Sequence, residues 1–234
     1  MDIHKPKPWH GWREFAKEYG IIVLGVLTAL AAEQLVEWIH WNHEVAEARQ
    51  ALDQEAAYNL GAVVMRQKEA PCIDSRLGEI RALLARADFH GLPAGAARLG
   101  QPQLWRPRTN VWQATLTGQV ADHMPLEMRI DFAKLYDGFQ WYGQKAADET
   151  EAWGVLGELD DPGVLGPQEI ATLREARARA QAAADKMNAN LPRILDTSAK
   201  AGIAPGAVDE RPLTAQAREA LCRPLTATAP AGDK

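Results

Sequence analysis

A chain of 234 residues that is 47% hydrophobic and 24% charged has ordinary globular composition and length for one sizeable core or two small domains, which excludes disorder throughout. Its 26 Lys and Arg against 31 Asp and Glu give a net charge of -5, leaving no basic surplus to neutralise a phosphate backbone, so nucleic acid is not an expected partner. Two cysteines, Cys72 and Cys222, exclude a four-cysteine zinc site and a disulfide-dense miniprotein, yet allow one bridge.

Residues 1–18 form a basic lead with Lys5, Lys7, Arg13 and Lys17. From Ile21 to Ala32 the chain reads IIVLGVLTALAA, with Thr28 the one polar residue, and it continues past Glu33 and Gln34 to Leu35, Val36, Trp38 and Ile39. Tyr19 to Trp38 is 20 residues. At ~1.5 Å per residue that is roughly 30 Å, the thickness of a hydrocarbon core, and a transmembrane helix is placed at 19–40. Trp9, Trp12, Phe15 and Tyr19 precede the run and Trp38 and Trp41 follow it, as aromatic rings do at headgroup level. A cleaved signal peptide fits less well, because Glu33-Gln34 is no small-residue cleavage site and the helical pattern runs on past Trp41. A buried helix of a soluble protein is the other competitor, since Glu33 and Glu37 are costly in lipid. Only Arg49 is basic in the twenty residues after Trp38, so the charge bias places the N-terminus in the cytoplasm and the rest of the chain outside it. In a bacterium that is the inner membrane and the periplasm, where a thiol pair oxidises.

The stretch WREFAKEYGIIVLGVLTALAAEQLVEWIHW, followed by VAEARQALDQE, resembles the opening of a family of uncharacterised bacterial single-pass membrane proteins with a basic lead, an apolar span and a charged helical stalk. The resemblance covers roughly residues 12–60. It implies an architecture and carries no activity or functional residue with it.

After the span, a helical domain is expected over 41–200 and a Pro-rich segment with a tail over 201–234. Val45, Ala48, Leu52, Ala56, Leu60 and Val63 recur at spacings of three and four and predict a stalk ended by Pro71. Ile73, Leu77, Ile80, Leu84 and Ala87 predict a second helix stopped at His90-Gly91-Leu92-Pro93. Residues 91–108, rich in Gly and Pro, read as a loop. Asn110 suits the N-cap of a short helix through Leu116, and Pro125 the first position of a long one. In that helix Phe132, Leu135, Phe139, Tyr142, Ala146, Trp153 and Leu156 keep a 3-4 rhythm with a polar gap at Glu149. Asp160-Asp161-Pro162-Gly163 is a turn signal. The rhythm returns after Pro167 as Ile170, Leu173, Ala180, Ala184, Met187, Leu191 and Ile194, with Arg177 the exception. A short helix is expected near Leu213 to Leu221, and the last residues, ATAPAGDK, as a tail. Nothing alternates as a strand does. The expected fold is all-α: an N-terminal transmembrane helix, a stalk, and an extracytoplasmic four-helix bundle.

Glu37 and His40 have the i, i+3 spacing of helical metal sites, and Glu44 lies further along the same helix, so a second helix or chain would be needed to complete a site. Acids and imidazoles at the end of an interfacial helix also simply reach for water. Gly25, Ala29 and Ala32 offer a small-residue face for close helix packing, beside Glu33 and Gln34, which suit interhelical hydrogen bonds. Tyr136 and Trp141 fall off the inward seam and are candidate partner contacts. No nucleophile elbow, phosphate loop, paired-carboxylate motif or cofactor motif is present, and His90 and His123 stand apart from any. Fewer than twenty residues before the span leave no room for a signalling output domain. The expected role is a non-catalytic, membrane-anchored interaction or accessory subunit, acting on a protein partner or on its own copies. A periplasmic metal or small-molecule binder is the alternative, and an enzyme the third reading. Cys72 and Cys222, each near an expected helix end outside the cytoplasm, are expected to bond.

Overall fold

A computed structural model describes residues 11–92, 98–103, 105–161, 163–208 and 212–225. Among these the chain is all-helical, without a strand. The helices are α1 (Trp12–Leu84), α2 (Asn110–Thr117), α3 (Val120–His123), α4 (Leu126–Leu156), α5 (Pro167–Lys200) and α6 (Pro212–Cys222), with a short 3-10 turn at Gly157–Asp160. Lys5, Lys7 and Trp9, Pro93, Pro162 and the ATAPAGDK tail lie outside the described residues.

The expected span, stalk and second helix are one helix. α1 runs 73 residues, about 110 Å, straight through Pro71. A proline inside a helix removes one backbone hydrogen bond and costs about 3 kcal/mol. Here Pro71 is exposed, so water reaches the freed carbonyl, and no glycine or turn residue accompanies it. Leu60 and Val63 before it and Ile73 and Leu77 after it lie on one buried seam, and that shared burial outweighs the local cost. The helix stops at Leu84, earlier than the apolar series suggests, and Phe89 folds back into the core. Merging the two elements leaves three long helices, the distal half of α1 with α4 and α5, in place of four.

By length and composition α1 can cross a membrane: an 18-residue window has mean hydropathy 1.8, and none of it is buried by the described residues. Eleven large apolar side chains from Tyr19 to Ile39 are more than half exposed. A core helix of a soluble protein would hide such a face, since each such side chain left in water forgoes roughly 1.5–3 kcal/mol.

Beyond residue 44 the seam residues sink into two apolar clusters stacked along the bundle. The proximal one joins Leu52, Leu60 and Val63 to Phe132, Phe139 and Tyr142 of α4 and Met187 and Ile194 of α5. The distal one joins Ile73, Leu77 and Ile80 to Trp153 and Leu156 of α4 and Leu173 and Ala180 of α5. Alanines at 176, 180 and 184 let α5 approach closely. Pro125 sits one position before α4 as its N-cap, and Thr109, without a side-chain cap bond, precedes α2 in the place expected for Asn110.

The described parts of the Pro-rich C-terminal segment, 201–208 and 212–225, belong to the body. The Gly206 amide donates to the Ala57 carbonyl (2.7 Å), and a Cβ built on Gly61 would lie 2.1 Å from the Gly206 carbonyl oxygen. The Gly206 backbone fills that space, with the Val208 side chain beside it at 2.8 Å. Gly61→Ala is therefore expected to push the 203–208 strap off α1 and lower stability by about 1–3 kcal/mol, visible as a lower unfolding midpoint in mild detergent. An unchanged midpoint would show that the strap is not pressed against α1.

Candidate functional site

Among the described residues nothing covers the small-residue face. Gly25, Ala29 and Ala32 are exposed, nothing lies within 4 Å of a Cβ built on Gly25, and Glu33 and Gln34 are likewise exposed. Gln34 donates to Glu37 (3.5 Å), so one of its polar groups is turned along the helix rather than across it.

The structure does not gather the expected metal ligands. Among the described residues no three His, Cys, Asp or Glu side chains are close enough to hold an ion. Glu37 faces Gln34 and accepts from the Trp41 indole (3.5 Å), His40 leans on the Trp41 ring (5.1 Å), and His43 pairs with Glu47 (3.4 Å). Glu44 is half-buried on the same helix. His123 of α3 stacks flat on Trp41, with centroids 3.8 Å apart and planes 10° apart.

Tyr136 is no surface contact. It is fully buried, stacks on Trp112 (5.1 Å) and donates its hydroxyl to Glu55 (2.7 Å). The same carboxylate accepts the Val111 and Trp112 amides (3.1 and 3.3 Å), so Glu55 supplies from α1 the cap that α2 lacks in its own sequence. Burial, reinforced by the hydrogen bond to Glu55, pushes the Tyr136 hydroxyl far above its usual range. The seam argument missed this because a ring flanking the seam can still tuck under a neighbouring helix. Trp141 is half-buried against the proximal cluster.

Between the two apolar clusters lies a polar layer. Arg66 makes a two-pronged contact with Glu149 across α1 and α4, Nη2 to Oε1 at 2.5 Å and Nε to Oε2 at 3.2 Å, both side chains 4% exposed. Glu69, also buried, accepts the Gln103 amide (3.4 Å). Burial pushes the Glu149 carboxyl above its usual range against the pull of Arg66, and pushes the Tyr142 hydroxyl up to about 12. Among the described residues, Arg66 Nη1 and Trp105 Nε1 find no partner. The layer is sealed by the clusters on either side, which suits a structural register device more than a reacting group.

Cys72 and Cys222 are bonded, tying α1 to the end of α6 across 150 residues of sequence. One turn on, the buried Arg76 donates to the carbonyls of Ala220 (2.8 Å), Leu221 (3.1 Å) and Arg223, and Glu79 accepts the Leu225 amide (3.2 Å). At the distal tip an open cleft of about 270 Å³ lies between Arg81, Arg174 and Arg177 over Leu84 and Ala85. Arg174 spends its guanidinium on the Leu84 carbonyl, which ends α1.

The chain matches no protein-family model, no curated protein and no solved structure.

Proposed function

We propose that the protein is a non-catalytic, membrane-anchored interaction subunit, N-terminus in the cytoplasm of a bacterium, presenting its helical body on the periplasmic side to a membrane complex or to a second copy. The observation that carries the reading is the division of α1. Its first part is apolar and is not covered by any other described part of the chain, while the rest of the same unbroken helix is the backbone of the bundle. A rigid rod of this kind passes any contact made in the membrane directly to the body outside it. Arg13 and Lys17 before the span, with Arg49 alone soon after it, support the orientation. The Cys72–Cys222 bond suits an oxidising compartment.

The partner surface within the membrane is the Gly25, Ala29 and Ala32 face, with Glu33 beside it. Mass determination of the full chain extracted in gentle detergent is expected to give a defined oligomer or a stable hetero-complex. Gly25→Leu with Ala29→Leu should weaken that association on the order of tenfold, the worth of about 1–2 kcal/mol of close helix contact, while leaving insertion intact. Undiminished association would move the interface to the bundle. A lone monomer whose thermal stability rises with Zn²⁺ would instead favour metal binding at Glu37, His40 and Glu44.

A further inference from the structure

The unbroken α1 fixes where the bundle stands relative to the span, and the register of α4 makes that position readable. Tyr136 meets Glu55 and Glu149 meets Arg66, separations of 81 and 83 residues, so α4 runs parallel to α1 and Leu126 stands level with residues 43–45. That is five to seven residues past Trp38, roughly 8–10 Å along the axis. Side chains on a helix lean toward its N-terminus, which for α4 is toward the span, and the headgroup zone is about 5–7 Å deep on each side of the hydrocarbon. The flat stack of His123 on Trp41 independently holds α3 at the same height. By contrast the segment after α5 meets α1 at Ala57, much further out.

This low corner is also where the exposed apolar residues gather. Outside the span and its lead, the large apolar side chains left exposed among the described residues are Leu116 (48%), Leu126 (60%), Ile130 (40%) and Val164 (84%), and the first three belong to the α2–α4 corner. Its charges offer no basic surplus. Arg129 turns in to the Ala121 carbonyl and Lys134 pairs with Asp131, while Asp122 and Glu127 remain beside them.

We infer that the α3–α4 corner of the bundle rests on the lipid surface, with Leu126 seated among the headgroups and Ile130 at its rim. The occupant is the bilayer around the protein's own span, engaged through apolar insertion rather than attraction to anionic lipid. The contact restrains the tilt of the rod. This inference rests on the reading of α1 as a membrane span.

The test uses the full chain in phosphatidylcholine vesicles, with the native disulfide intact and one introduced, fluorescently labelled thiol per variant: Leu27→Cys, Leu126→Cys or Val164→Cys. A lipid-borne doxyl quencher near the headgroups is expected to dim the label at 126 at least twofold and leave 164 unchanged, equally with and without anionic lipid. A quencher deeper in the acyl chains reports on 27. Quenching at 27 with none at 126 overturns the docked corner and leaves the span standing. No quenching at 27 overturns the span and the docking with it. A label at 126 shielded from aqueous iodide yet untouched by doxyl lipid would mean a second protein copy covers the corner, and would also overturn the proposal. Quenching at 126 confined to anionic vesicles would overturn the apolar mode of contact.

Discussion

Replacing Cys72 and Cys222 together by serine is expected to lower the stability of the protein by about 5 kcal/mol, because the bond closes a loop of 150 residues and removes that much conformational freedom from the unfolded chain. The bond is not the sole tie at this place. Arg76 binds three carbonyls at the end of α6, Glu79 holds the Leu225 amide, and Leu221 and Leu225 are buried in the distal cluster. These contacts keep α6 seated in the native state, so the effect falls mainly on the unfolded state. Urea unfolding in mild detergent, followed by circular dichroism, measures it. A loss under about 1 kcal/mol would mean that α6 and the strap detach by themselves, and hydrogen exchange would then show lost protection confined to residues 203–225.

The apolar rhythm made legible the helical class, a helix apolar enough to cross a membrane, and the buried faces of α4 and α5, since all seven seam residues it names on α4 are among those found buried. It misled at Pro71, where a local rule about proline competes with burial on both sides of it, and burial is a tertiary quantity. It misled at Tyr136 because a ring beside the seam is judged exposed until the helix that covers it, α2, is known. The polar layer was half visible. On α1 the apolar series halts between Val63 and Ile73, with Arg66 and Glu69 standing where the seam requires apolar residues, and on α4 Glu149 stands between Ala146 and Trp153 in the same way. Two polar interruptions on two seams, at heights that coincide once the helices are set parallel, identify each other as partners. The sequence alone does not set that height. The caps supplied from a distance, Glu55 to α2 and Arg174 to the end of α1, left no local signal at the helix ends they serve.

The polar layer carries the second large effect. Glu149→Gln keeps the shape of the side chain and removes the charge opposite a guanidinium that is 4% exposed, leaving Arg66 buried without its counter-ion. The expected loss is about 3–5 kcal/mol, as when one partner of a buried pair is deleted. The pair as a whole is worth far less than that figure. Burial pushes the Glu149 carboxyl above its usual range against the pull of Arg66, and taking two ions out of water commonly costs as much as their attraction returns. Arg66→Met with Glu149→Leu is therefore expected to be neutral or stabilising, with Glu69 still held by the Gln103 amide. What the double replacement should lose is definition. Two parallel seams of similar apolar residues can slide past each other by a turn, and a single charged rung forbids the slide because any other register buries two unpaired ions. Equilibrium unfolding of the two variants tests the energies, and the spread of amide resonances in the labelled double variant tests the register. A double variant as unstable as Glu149→Gln would show the pair to be a net stabiliser. One that is stable with a single sharp set of resonances would show that packing alone sets the register of α1 and α4.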